Sequence, residues 1–497
     1  MNDPRKQNPN IVFILSDDQG AWALGCAGNK EIRTPHLDAL AGSGIRFANF
    51  FCVSPVCSPA RASILTGRIP SAHGVHDWIR SGNVDYESLP TSLKQSNVLS
   101  SEKKPIEYLQ GQLAYTELLA DHGYVCGLSG KWHLGDSIRP QKGFSHWFTL
   151  ARGGCDYYKP DTVRNGRVAF EDHYITNLIS DDALVFLEEQ RSTDAPFYLG
   201  VHYTAPHSPW EREQHPSEIY DSYEACAFES VPDMPAHPWL AATAPRGEGK
   251  LRKELLQGYY AAVTAMDQGI GRILDKLKAM GVRDNTLVIF SSDNGMNMGH
   301  HGIWGKGNGT FPQNMFDTSV KVPMIISHPA AIPGGRVCEE LLSHYDVFPT
   351  LLDYLDIPCP AVDSLPGRSF ASVLQGLPDP QRESNHRPVV VFDEYGPVRM
   401  IRTTEWKYVH RYPYGPHELY HLADDPDEER NLVEEPLYAD TCRRLKAQLT
   451  DWFVQYTDPT LDGTHEAVSG FGQLNLAGPG GRGNEAFVQT ELSKRRR

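Results

Sequence analysis

Apolar residues in this chain fall into short continuous blocks separated by polar turns. The first block, Ile11-Val12-Phe13-Ile14-Leu15, ends on Ser16-Asp17-Asp18-Gln19-Gly20. A run without alternation predicts a strand buried on both faces, as in a parallel sheet. Blocks over Tyr124–Ser129, Phe197–His202, Leu287–Ser292 and Val322–Ser327 repeat the pattern. Between them the period becomes helical. Over Leu251–Met280, the residues Leu255, Tyr259, Val263, Met266, Ile270, Ile273, Leu274 and Leu277 fall near one face. Asp346–Leu355 reads as a shorter helix. Strands alternating with helices predict an α/β fold: a large mixed, mostly parallel sheet sandwiched by helices.

The pattern changes at Asp363–Arg387, which is rich in proline, glycine, serine and charge. Beyond it, Val389–Phe392, Met400–Thr403 and Trp406–His410 predict short antiparallel strands. A helix follows with Leu445, Leu449, Trp452, Phe453 and Tyr456 on one side. The expected organisation is a catalytic α/β domain over 1–375, a smaller C-terminal α+β subdomain over 385–457, and an extended tail over 458–497. The tail has no period. It is expected to wrap the body, to reach a second copy in a homo-oligomer, or to be mobile.

Composition narrows the function. The 497 residues are 40% hydrophobic and 22% charged, which excludes global disorder. The formal net charge of −15 argues against nucleic acid as a partner, because such binding needs a basic footprint. Taken alone, it also disfavours an anionic substrate. No apolar run approaches the roughly 20 residues needed to span a bilayer, so no membrane partner is expected. Met1–Asn10 lacks the apolar core of a signal peptide. The expected location is cytoplasmic as written, or secreted or periplasmic if a leader has been removed. Nine cysteines without a C-x-x-C pair exclude a disulfide scaffold and a zinc ribbon.

Candidate chemistry collects at strand ends. Asp17 and Asp18 follow the first block, and Asp293-Asn294 follow Leu287–Ser292. Ligands bind at the carboxyl ends of strands in open α/β sheets. Adjacent carboxylates repel unless a cation neutralises them. Each pair alone could merely cap a turn; both pairs on neighbouring strands would form an oxygen-rich site for Ca2+ or Mg2+. A third segment is Cys57-Ser58-Pro59-Ala60-Arg61 followed by Ala62-Ser63-Ile64-Leu65-Thr66-Gly67-Arg68. Pro59 suits a first helical turn. That puts Cys57 at a helix N-terminus, where the dipole favours a thiolate, and Arg61 on the same face. The residues alone fit an activated cysteine nucleophile, or an inert thiol in a helix cap.

This Cys-x-Pro-x-Arg segment resembles the signature of type I, formylglycine-dependent sulfatases of the alkaline phosphatase superfamily. The resemblance runs from about Asn10 to about Glu435. It includes Thr34-Pro35-His36-Leu37-Asp38, Gly130-Lys131-Trp132-His133-Leu134-Gly135, Ala205-Pro206-His207-Ser208-Pro209, Asp293-Asn294-Gly295 and His301-Gly302-Ile303-Trp304-Gly305-Lys306. Glu418-Leu419-Tyr420 to Asn431-Leu432 resembles the family's small subdomain. The resemblance implies that a formylglycine-generating or anaerobic sulfatase-maturing enzyme converts Cys57 to formylglycine. One hydroxyl of the hydrated aldehyde would attack the sulfate ester, and the other would then expel sulfate. It further implies metal ligation by Asp17, Asp18, Cys57, Asp293 and Asn294, with Ca2+ expected and Mg2+ the alternative. Arg61 and Lys131 would hold the nucleophile and sulfate, His133 would serve as base in the elimination, and His207 and Lys306 would meet the bridging oxygen.

Where family members often carry Glu-Gly-Gly-x-Arg, this chain has Asp317-Thr318-Ser319-Val320-Lys321, a change expected to alter specificity. Asp77, Trp78 and Arg80 suit a sugar through hydroxyl contacts, stacking and charge, and His301 and Trp304 are further candidates. The expected reaction is removal of sulfate from a sulfated carbohydrate, in glycan degradation. A phosphonate or phosphate ester hydrolase of the same superfamily is the alternative, and a non-catalytic glycan-binding relative is the second.

Overall fold

The first apolar block becomes the middle of a ten-stranded sheet. The structure is a computed structural model that describes residues 8–95, 97–360, 362–377 and 387–489. In chain order the strands are Asn10–Ser16 (β1), Ile45–Phe51 (β2), Val125–Gly130 (β3), His146–Leu150 (β4), Asp161–Arg164 (β5), Arg167–Phe170 (β6), Phe197–His202 (β7) and Thr286–Ser292 (β8). A two-stranded ribbon, Asn297–Met298 (β9) and Trp304–Gly305 (β10), follows. Met324–Ser327 (β11) and Arg336–Ser343 (β12) then return to the main sheet. Its order is β12-β2-β11-β8-β1-β7-β3-β4-β5-β6.

β1 is parallel to β7 and β8, with Ile11 opposite Tyr198 and Leu287. Its side chains alternate between two cores, as the pleat requires. Ile11, Phe13 and Leu15 pack in the layer that holds Ala62, Leu65, Tyr115 and Phe348. Val12 and Ile14 face the layer that holds Leu37, Ile179, Met266 and Ile270. Continuous apolar blocks were therefore the correct signal for doubly covered strands. The Val322–Ser327 block departs from the pattern: β11 runs antiparallel to β2 and β8. Pro323, with no amide hydrogen to give, lies just before it. The long helix spans Gly249–Ala279.

The second sheet is Val389–Asp393 (β13), Val398–Arg402 (β14), Trp406–Arg411 (β15) and Glu418–His421 (β16), antiparallel throughout and paired in chain order. The sequence pattern marked three of these strands; β16 is only four residues long. One face of this sheet, through Val389, Val391 and Met400, continues the main core. Its other face receives Leu445, Leu449 and Phe453 from the helix Ala439–Tyr456. The tail from Asp458 to Gln489 folds back over the body. Met1–Gln7, residues 378–386 of the polar Asp363–Arg387 stretch, and the basic end Lys494–Arg497 lie outside the described residues. No helix among the described residues is long and apolar enough to cross a membrane.

Candidate active site

Five parallel strands and the helix after β2 deliver their loops to one edge of the sheet. Ser16 of β1 is in register with Ser292 of β8, so Asp17-Asp18 and Asp293-Asn294 emerge side by side. The Asp18 amide donates to Asp293 Oδ1 at 3.2 Å. Cys57 opens the helix Cys57–Thr66 behind an extended Val56. Its Sγ lies 3.3 Å from Asp17 Oδ1 and 3.9 Å from Asp18 Oδ1. Asp17, Asp18, Cys57 and Asp293 are all buried, with one donor atom from each lying within 4.8 Å of the others.

Three cations close around these acids. Lys131, beyond β3, places Nζ 2.5 Å from Asp17 Oδ2. Lys306, beyond the β9–β10 ribbon, places Nζ 2.6 Å from Asp18 Oδ1 and 2.9 Å from Cys57 Sγ. Arg61 donates through Nε to Asp293 Oδ2 at 2.9 Å and through a terminal nitrogen to the Lys131 carbonyl at 3.0 Å. Burial alone would raise the Asp17 and Asp18 carboxyls. Lys131 and His207 beside Asp17, and Lys306 and His207 beside Asp18, hold both below the usual carboxylate range. The Cys57 thiol moves the other way. Burial and the Asp17 carboxylate push it above its ordinary value against the pull of Lys131 and Lys306, so the helix dipole alone does not make a thiolate here.

Two histidines flank the thiol. Burial and the charges of Lys131 and Arg61 keep the His133 imidazole neutral, well below its ordinary pKa. Its Nε2 faces the Ile79 carbonyl at 3.1 Å, and its buried Nδ1 has no hydrogen-bond partner. With Nε2–H donating to that carbonyl, Nδ1 is left as a free acceptor. His207, after β7, is partly exposed with Nε2 3.6 Å from Asp18 Oδ2; its Nδ1 lies 2.7 Å from the Ser208 carbonyl. Asp18 and His133 both hold positive φ, 62° and 56°, a strain that persists where surrounding contacts over-determine the backbone.

The centre floors a cleft of about 620 Å3. Trp78, Ile79 and Arg80 form one wall, and Arg152 to Asp156, following β4, form another. Gly153 lies close against His133: a Cβ there would come within 1.9 Å of His133 Nε2. Gly153→Ala is therefore expected to displace the imidazole and lower kcat on the order of 10²-fold, with the thermal midpoint little changed. Steady-state kinetics beside a melting curve checks this.

Residues 9–357, well over half of the chain, match the family model described as Sulfatase. The chain belongs to the sulfatase family. Residues 299–455 of this sulfatase match a second model, N-sulphoglucosamine sulphohydrolase, C-terminal. The chain is 27% identical to the N-acetylglucosamine-6-O-sulfatase of Bacteroides thetaiotaomicron, covering 93% of this chain and 89% of that protein. It is 30% identical to the ulvan-active sulfatase of Formosa agariphila, covering 92% and 83%. A solved structure of BT4656 in complex with its substrate D-glucosamine-2-N,6-O-disulfate superposes with a TM-score of 0.75 at 25% identity, over 92% of this chain and 99% of that one.

All ten residues expected at the core of the sulfatase site come together in space. The outer candidates divide. Trp78 and Arg80 line the cleft. Asp77 does not: it is buried, and its carboxylate accepts from the amides of Trp78, Gly470 and Gly472. His301 stacks flat on Phe316 at 3.8 Å. Trp304 is buried in a cluster with Trp210 and Tyr259. Neither His301 nor Trp304 lines the cleft. Asp317, at the departure from the family pattern, pairs with Lys407 at 2.5 Å and so ties the main body to β15. Sequence reading missed the Arg152–Asp156 wall. The available signal was Trp147-Phe148-Thr149-Leu150 running into Arg152-Gly153-Gly154, a strand end like the others.

Proposed function

We propose that this sulfatase hydrolyses sulfate esters of a carbohydrate, using formylglycine made from Cys57 and a divalent cation, Ca2+ or alternatively Mg2+. The observation that carries the reading is Cys57 at a helix N-terminus, facing three buried carboxylates and touched by Lys306, at the floor of an aromatic-walled cleft. The cation fits the donor set. Asp17, Asp18, Asp293 and Asn294 offer oxygens, and Asn294 Oδ1 is buried without a partner while its Nδ2 donates to Asp18 at 2.7 Å. When bound there, a hard cation supplies Lewis-acid stabilisation of sulfuryl oxygens.

The chain's own residues divide the remaining work. Arg61 fixes Asp293 and the Lys131 carbonyl, and so holds the carboxylate edge rigid. Lys131 and Lys306 offer ammonium groups to the sulfate as charge builds on its oxygens. His133, neutral with a free Nδ1, suits the base that takes a proton from the modified side chain. His207 is the partly exposed imidazole on the cleft side, placed to give a proton to the departing alcohol. Carbohydrate as the leaving group draws support from Trp78 on the cleft wall and from relatives named for N-acetylglucosamine 6-sulfate and ulvan.

The test uses enzyme whose Cys57 conversion has been verified by mass spectrometry. It is offered sulfated mono- and disaccharides, with free sulfate measured, beside aryl sulfate and aryl phosphonate. Sulfate release from at least one sugar is expected. Release from none, or a large preference for the phosphonate, overturns the reading.

A further inference from the structure

The wall that carries Trp78 and Arg80 is not self-supporting. Residues 76–80 belong to no helix and no sheet of their own, yet His76, Asp77 and Ile79 are buried, so the polar groups of this stretch need partners. The tail supplies them. Gln473 donates its amide to the Trp78 carbonyl at 2.8 Å, and its carbonyl accepts from the Arg80 amide at 3.0 Å. Its side chain reaches further: Oε1 accepts from the His76 amide at 3.0 Å, and Nε2 donates to the Gly74 carbonyl at 3.0 Å. Gln473 is 0% exposed.

Asp77 returns the grip. One carboxylate oxygen accepts from the amides of Gly470 and Gly472 at 2.8 and 3.2 Å. The other accepts from Trp78 at 2.8 Å. The side chains that face the cleft are held by the same strand of tail. The Trp78 indole donates to the Gly470 carbonyl at 3.2 Å, and Arg80 donates to the Phe471 carbonyl at 3.1 Å. Gly472 sits at φ 110° with its Cα pressed on this wall; a Cβ would meet Arg80 Cβ at 2.5 Å. Ile79, between them, is fastened from the opposite side by Ser58 and His133. The reaction centre thus has anchors that do not involve the tail.

We propose that Asp77 and Gln473 are positioning residues, through which the C-terminal tail sets the wall that receives the sugar of the leaving group. The inference rests on the carbohydrate reading above and deepens it: selectivity for the sugar, as distinct from cleavage of the sulfate, depends on residues 470–473. Among the described residues, the hydrogen bonds of 470–473 reach none of Asp17, Asp18, Asp293 and Cys57, so sulfate chemistry on a small leaving group proceeds without them.

Asp77→Asn and Gln473→Leu test this separately, so that a fold defect in one leaves the other informative. Each is assayed on the best sugar sulfate and on 4-nitrophenyl sulfate. Backbone hydrogen exchange is followed over residues 76–80 and over β1 and β8. KM for the sugar sulfate should rise on the order of tenfold, with kcat/KM for the aryl sulfate within about twofold. Exchange should quicken over 76–78 and at Arg80, with the Ile79 amide still held by Ser58. Equal losses on both substrates, or no change in KM for the sugar, overturn the proposal. If the parent enzyme cleaves aryl sulfate but no sugar, the carbohydrate reading fails. The exchange result still decides whether the tail holds the wall: unchanged protection there overturns the positioning role by itself.

Discussion

Cys57→Ala is expected to abolish sulfate-ester turnover, by a factor on the order of 10⁴ to 10⁶, while the protein melts within about 2–4 °C of its parent. The side chain is small and stands at the first residue of a helix whose hydrophobic anchors, Ala62, Ile64 and Leu65, lie a turn further on. Removing it deletes few packing contacts, but it deletes the sulfur at the floor of the cleft that lies close to Asp17, Asp18 and Lys306 together. Among nearby groups, Lys131 and Lys306 are held as ammonium ions by carboxylates and offer no lone pair. Sulfate release under single-turnover conditions, paired with a melting curve, measures both parts. A protein that only binds glycans would keep its affinity after this change, and retained turnover would remove Cys57 from the chemistry.

Chelation is expected to silence the enzyme without unfolding it. Asp17, Asp18 and Asp293 would form a costly group of buried like charges if the cation alone balanced them. In this site Lys131, Lys306 and Arg61 already lie on their oxygens at 2.5 to 2.9 Å. Three carboxylates thus face three basic side chains, so the fold does not rely on the ion alone to offset their charge. Loss of the ion should cost activity on the order of 10²-fold or more. Far-ultraviolet circular dichroism should stay the same, and activity should return on adding Ca2+. Full activity with no bound metal would refute metal participation. Restoration by Mg2+ but not Ca2+ would overturn the choice of Ca2+.

The site was legible where chemistry coincides with a regular element. Asp17-Asp18 and Asp293-Asn294 could be paired in advance because parallel register brings strand ends to one edge. Pro59 located the start of the Cys57 helix, and the structure begins it at Cys57 itself. Legibility failed where a role depends on what lies opposite. Asp77 reads as a hydroxyl acceptor, but its partners are the next amide, that of Trp78, and two amides 393 and 395 residues away. Trp304 reads as a stacking platform beside a motif lysine; burial beneath the Gly247 and Gly299 backbone decides otherwise. The net charge of −15 misleads for the same reason. It averages over the surface, while Arg61, Lys131 and Lys306 gather at the site.

The enclosure of Cys57 also fixes a point in time. The residue is only 4% exposed, at the first turn of a formed helix and under the Lys306 ammonium. An enzyme that alters this residue has to draw the surrounding peptide into its own active site, and the finished helix forbids that. If Cys57 is converted to formylglycine as proposed, the conversion belongs to the unfolded chain. The order of synthesis leaves an interval for it, since Arg61 is made 232 residues before its partner Asp293. At ribosomal rates that interval is roughly 10 to 50 s, during which the proposed modifying enzyme would meet an exposed signature, before the carboxylate that locks it in place exists.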